Sequence, residues 1–82
     1  MFIVYSKQTG KIINVAVSGN YETIQDLYPS NYEDYQLIYD CFNVEDDVDI
    51  INNPNLFKVK DGNIIFNEEH LNFLKKVVSN DN

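Results

Sequence analysis

The sequence contains no arginine, one cysteine, one histidine and three glycines, and each scarcity removes a class of chemistry. Only six Lys stand against thirteen Asp and Glu, for a formal net charge of -7. Such a chain has few cations with which to displace condensed counterions from a phosphate backbone, so direct binding to DNA or RNA is not expected. Cys41 alone cannot close an internal disulfide, which fits a reducing cytoplasm. No early segment joins basic residues to a long apolar run and a small-residue cleavage site, and no stretch approaches the roughly 20 apolar residues that span a bilayer. A membrane role is therefore not expected. Gly10, Gly19 and Gly62 each fall at a turn, so no glycine-rich loop remains to cradle a phosphate and no cofactor is expected.

Catalytic and metal constellations are equally thin. Cys41 lies in an apolar run, where a buried thiol stays protonated and inert, and His70 sits beside Glu68 and Glu69 in the first turn of an expected helix. The Glu45-Asp46-Asp47-Val48-Asp49 run is rich in carboxylates, but it has neither the alternating oxygen ligands, the central Gly nor the terminal Glu of a calcium loop. Paired carboxylates for glycoside hydrolysis need a cleft that so short a chain rarely forms. Neither an enzyme nor a metal protein is expected.

What is present is enough apolar material, 44% of 82 residues, for one hydrophobic core. A single domain over residues 1–82, with residues 79–82 frayed, is expected. Phe2 to Tyr5 and Lys11 to Val17 read as strands of an N-terminal hairpin, with Lys7-Gln8-Thr9-Gly10 as its turn. Asn20 is placed to cap a short helix carrying Tyr21, Ile24, Leu27 and Tyr28, which Pro29 ends. Ser30 to Asp34 allows one more helical turn. Tyr35 to Val44 alternates as a third strand, with apolar residues on both faces and hence a central place in the sheet.

Acidic residues lead into a second short helix, Val48 to Asn53, closed by Pro54. Asp61-Gly62 is a two-residue hairpin loop that sets Val59 opposite Ile64 and Phe57 opposite Phe66, all on one side. Asn67 then caps an amphipathic C-terminal helix with Leu71, Phe73, Leu74, Val77 and Val78 on one stripe and Lys75 and Lys76 in its last turn. The expected fold class is α+β: a small antiparallel sheet of about five strands, made of two hairpins and a central strand, packed on one side by two short helices and the C-terminal helix.

Charge is also distributed unevenly. From Ile12 to Phe57 there is no Lys, while nine acidic residues and five of the six tyrosines fall there. Tyrosine offers a rigid amphipathic contact surface, and carboxylates steer a basic partner. The residues expected to meet a basic protein surface are Tyr28, Tyr32, Glu33, Asp34, Asp40, Glu45, Asp46, Asp47 and Asp49. The competing reading is that tyrosines line the core and the acids keep a monomer, or a small homo-oligomer, soluble.

Met1-Phe2-Ile3-Val4-Tyr5 with Thr9-Gly10-Lys11, the Leu27-Tyr28-Pro29 stop, and Asn53-Pro54-Asn55-Leu56-Phe57-Lys58-Val59 leading to Asp61-Gly62 resemble small bacteriophage and prophage proteins of low-GC bacteria. The likeness runs over most of the chain but rests on structural motifs, so it carries over no catalytic residue. It implies one of two roles. The first is an anti-CRISPR-like inhibitor, acting in the host cytoplasm on a nucleic-acid-binding or defence protein. The second is a structural or accessory part of a virion tail or baseplate.

Overall fold

Phe2-Ile3-Val4-Tyr5 is apolar at every position, the pattern of a strand covered on both faces rather than one. The computed structural model, which describes residues 1–69, places this run in strand β1 (Phe2–Ser6) at the centre of a three-stranded antiparallel sheet. Strand β2 (Ile12–Ala16) pairs on one side and β3 (Tyr39–Asn43) on the other, giving the order β2-β1-β3. β3 is thus an edge strand, correcting the central place expected for it. A second sheet is the hairpin of β4 (Phe57–Lys60) and β5 (Asn63–Phe66). The fold is α+β with five strands, divided three and two.

The Asp61-Gly62 turn sets its hairpin as its sequence requires. Both residues take positive φ, 53° and 80°, which matches the twist of a two-residue loop. Val59 faces Ile64 and Phe57 faces Phe66, whose rings stack at 5.3 Å. In the first hairpin the register shifts between Val4↔Asn14 and Tyr5↔Ile12, so Ile13 is the extra residue of a bulge. Without it Ile12 and Asn14 would share a face. With it Ile12 joins Ile3 on one side, while Asn14 reaches the Tyr28 hydroxyl on the other, Nδ2 donating at 2.8 Å.

The helices lie on both faces of the sheet, not one. Over Phe2, Val4, Tyr39 and Cys41 lie α1 (Ile24–Leu27) and α2 (Tyr32–Ile38), which contribute Ile24, Tyr32 and Tyr35. Over Ile3 and Ile12 lie Ile50 of α3 (Val48–Asn52) and Val59 of β4, with Phe42, Phe57 and Ile64 packed against them. The N-cap of α1 is Thr23 rather than Asn20. Thr23 and Asp26 form a reciprocal capping box, so Tyr21 stays outside the helix and packs its ring 5.8 Å from Phe2. Residues 32–38, divided in expectation between a turn and a strand, form α2; the strand begins only at Tyr39.

Asp47 caps α3, its Oδ1 accepting from the Asp49 and Ile50 backbone N–H groups at 2.9 and 3.3 Å. Asp47→Ala leaves those two donors without their carboxylate. It is expected to lower stability by about 1 kcal/mol in a urea titration, with unchanged denaturant dependence. After α3, Pro54–Leu56 make a single 3-10 turn beside β2. Asn67 is buried, and its backbone N–H donates to the Leu56 carbonyl at 2.8 Å. The C-terminal helix expected from Leu71 to Val78, its cationic last turn at Lys75 and Lys76, and His70 lie outside the described residues.

The two hairpins meet at Gly10. Val59 N–H donates to the Gly10 carbonyl at 2.8 Å, and Lys11 bridges Lys58 in antiparallel fashion. Gly10 has φ +77°, and a Cβ there would overlap the Val59 carbonyl oxygen. Glycine is therefore required twice at this position, for its conformation and for the close approach of a second backbone.

Candidate protein-binding surface

The acids and tyrosines of residues 12–57 are sorted by the fold into two layers. On the α1/α2 layer, Tyr28, Tyr35 and Tyr39 form a chain of edge-to-face rings with centroids 4.9 and 5.5 Å apart. All three are half-buried against Phe2, Val4 and Ile24. Tyr28 thus serves mainly as packing, with its hydroxyl held by Asn14. Glu33 and Asp34 are exposed in the first turn of α2, where the positive end of the helix dipole favours them.

Glu45 to Asp49 belong instead to the approach to α3, on the other side of the sheet, and not all of them are free. Asp46 Oδ1 pairs with the Met1 ammonium at 2.7 Å, and that ammonium also donates to the Val44 carbonyl at 2.6 Å. Asp47 is the cap of α3. Glu45 and Asp49 are exposed, and no side-chain hydrogen bond or ion pair among the described residues engages them. The nine residues expected at one surface therefore divide into packing (Tyr28), structural (Asp46, Asp47) and solvent-facing (Glu33, Asp34, Glu45, Asp49) groups. The remaining two, Tyr32 and Asp40, come together.

Tyr32 and Asp40 line an open cleft of about 450 Å³ with Glu22, Gln36, Cys41 and the start of α1. Its walls follow from the edge of β3. Asp40 and Cys41 are consecutive strand residues, and Asp40 Oδ1 accepts the Cys41 backbone N–H at 2.8 Å. Asn43 Nδ2 donates to the Tyr21 carbonyl at 2.8 Å and the Cys41 thiol approaches the Glu22 carbonyl at 3.8 Å, so residues 21–22 run along this edge. Glu22 belongs to the acidic, tyrosine-rich stretch read from the sequence, and the Thr23-x-x-Asp26 box next to it fixes where the chain turns.

Burial, then the neighbouring Asp40, push the Cys41 thiol above its ordinary pKa, so it is held protonated and weakly nucleophilic at neutral pH. Burial and Asp40 likewise raise the Tyr5 hydroxyl, which donates to Asp40 Oδ2 at 3.4 Å. Asp26 moves the other way. Its carboxylate accepts the backbone N–H groups of Glu22 and Thr23, both at 2.9 Å, and these bonds lower its pKa. A carboxyl with a depressed folded pKa contributes stability that is complete above its unfolded value, about 3.9, and is lost as pH falls through the folded one. Asp26→Asn is expected to reduce stability at neutral pH and to flatten its decline in acid. Urea titrations across that window measure both; identical acid profiles for the two proteins would contradict the assignment.

Among the described residues no group of three or more His, Cys, Asp and Glu is placed to hold a metal ion, and no helix is long and apolar enough to cross a membrane. The lining of the Glu22–Tyr32–Asp40 cleft combines groups that suit a cation. Two carboxylates supply charge, the Tyr32 ring supplies a face for cation–π contact, and the Gln36 amide supplies hydrogen bonds. Comparison with protein-family models, with curated proteins and with solved structures finds no match.

Proposed function

We propose that this chain is a non-catalytic acidic binding module that occupies a basic surface on a nucleic-acid-binding or defence protein of a host cell, in the manner of an anti-CRISPR protein. The observation that carries the reading is the cleft in which Glu22, Tyr32 and Asp40 converge without a lysine. A protruding Lys or Arg of the partner fits there, while Glu33 and Asp34 on α2 extend the negative field around it. Residues 12–57 contain no Lys or Arg, so no cation of that stretch neutralises these carboxylates. The module competes with nucleic acid by presenting carboxylates where the partner expects phosphates, and it needs no bond chemistry to do so.

The test is capture of partners from host lysate at low and high salt, with identification by mass. It is followed by charge reversal at Glu22, Glu33 and Asp34, whose side chains form no hydrogen bond or ion pair among the described residues. The triple reversal is expected to weaken partner binding by about a hundredfold and to remove most of its salt dependence, with the fold retained. Unchanged affinity in a folded variant would exclude the acidic surface as the contact.

A second reading, as a virion accessory component, draws on β5. No described strand pairs with its outer edge, and Phe66 at its end is 62% exposed. Strand addition to such an edge is a recurrent docking mode. Its signature is co-purification with washed particles in fixed stoichiometry.

A further inference from the structure

Every lysine among the described residues stands at the joint between the two hairpins. Lys7 and Lys11 flank the first turn, and Lys58 and Lys60 lie on the strand that meets it. An open cleft of about 520 Å³ separates the two loops, lined by Lys7, Lys58 and Lys60 together with the polar turn Gln8-Thr9 and by Asp61. Lys11 and Lys58 line a smaller cleft beside it, together with Glu69. Among the described residues none of these four lysines forms an ion pair.

In a chain carrying thirteen carboxylates, three lysines lining one cleft with no ion pair among the described residues are unexpected. Holding like charges together costs repulsion that a bound anion removes. The cleft is also fixed in shape. The bond from Val59 N–H to the Gly10 carbonyl and the Lys11–Lys58 bridge lock one loop against the other, and Gly10 admits no side chain between them. Lys7 is anchored as well, its Nζ donating to the Gln36 carbonyl at 2.7 Å near the C-terminal end of α2. That leaves further Nζ protons for a ligand.

We propose that the cleft between the two hairpin loops binds a compact, multiply charged phosphate. Lysine acts as a point charge, and lysines carried into one cleft by two separate segments suit a compact polyanion. The planar two-pronged recognition of a carboxylate would call for arginine, which the chain lacks. A long nucleic-acid strand would extend into the acidic remainder of the surface, whereas a small phosphate stays within reach of the lysines. The site is distinct from the Glu22–Tyr32–Asp40 cleft and does not depend on its role.

The test is titration of the isotopically labelled protein with inorganic phosphate, pyrophosphate and a nucleoside diphosphate, followed through its amide resonances, with chloride at matched ionic strength as control. Pyrophosphate is expected to bind more tightly than phosphate, with shifts concentrated at residues 7–11 and 58–62. Tighter binding of the nucleoside diphosphate than of pyrophosphate identifies a nucleotide as the source of the phosphate; equal or weaker binding identifies the inorganic anion. The Lys58→Gln/Lys60→Gln variant keeps both strand backbones and is expected to bind pyrophosphate at least about tenfold more weakly, with its other resonances unmoved. Absence of shifts in the loops, equal shifts with chloride, or full affinity in that folded variant would each overturn the proposal.

Discussion

Gly10→Ala is expected to lower the stability of the domain by about 3 kcal/mol or more, a large part of what a chain of this size has to lose. Two costs add. A left-handed φ disfavours any residue with a Cβ by about 1–2 kcal/mol. The new methyl group also overlaps the Val59 carbonyl oxygen, so the hairpins must move apart and the bond from Val59 N–H to the Gly10 carbonyl is strained or lost, about 1 kcal/mol or more again. Gly62→Ala separates the two effects. Gly62 has φ +80°, but nothing stands within 4 Å of its would-be Cβ, so its loss should be about 1 kcal/mol. Urea titrations of the two variants measure the difference, and equal losses would show that the hairpins are not in contact at Gly10.

Phe2→Ala is expected to cost about 3–4 kcal/mol. Phe2 is 2% exposed and lies with Val4 and Ile24 in the layer beneath α1 and α2, its ring tilted 39° to that of Tyr21. The residues laid over it from the helical side, Ile24, Tyr32 and Tyr35, are held by short elements, a four-residue helix and a seven-residue helix, which have little stability of their own. The void should therefore loosen the tyrosine chain, with a fall in near-ultraviolet circular dichroism accompanying the loss of stability. Leu37→Ala is the comparison. Leu37 is 72% exposed on α2, and its truncation should change stability by no more than about 0.5 kcal/mol. A small effect at Phe2 would mean that the α1/α2 layer does not close over β1.

The two hairpins were legible because their signals are local. Gly10 and Asp61-Gly62 state the turns, and the alternation on each side of Asp61-Gly62 fixes a register that one slip would ruin. Residues 35–39 were not legible. Tyr35, Leu37 and Tyr39 recur at every second position, as in a strand, while Tyr28, Tyr32, Tyr35 and Tyr39 recur at three and four, as in a helix. What decides is tertiary: the rings of Tyr28, Tyr35 and Tyr39 stack edge to face under α2.

The central strand could have been identified. Phe2 to Tyr5 has no polar face, whereas β3 alternates Asp40 between Tyr39 and Cys41 as an edge strand does. At the surface, acidic and tyrosine residues adjacent in sequence pointed to a single contact area. The fold assigned Asp46 and Asp47 to structural bonds and brought Glu22 from another segment to meet Asp40. The lysine cleft lay hidden for the same reason, since its two pairs are separated by most of the chain and are joined only by the contact at Gly10.

The placement of β1 also governs how the chain comes off the ribosome. Its most water-averse stretch is made before both of its neighbours, and although β2 follows at once, the partner on the opposite edge arrives only with Cys41, Phe42 and Asn43. Until then the hairpin carries an unpaired margin along Ile3 and Tyr5 and two uncovered greasy faces, the condition in which nascent chains adhere to one another. A chain ended after residue 38, which holds the hairpin without β3, should therefore be far less soluble than one ended after residue 69.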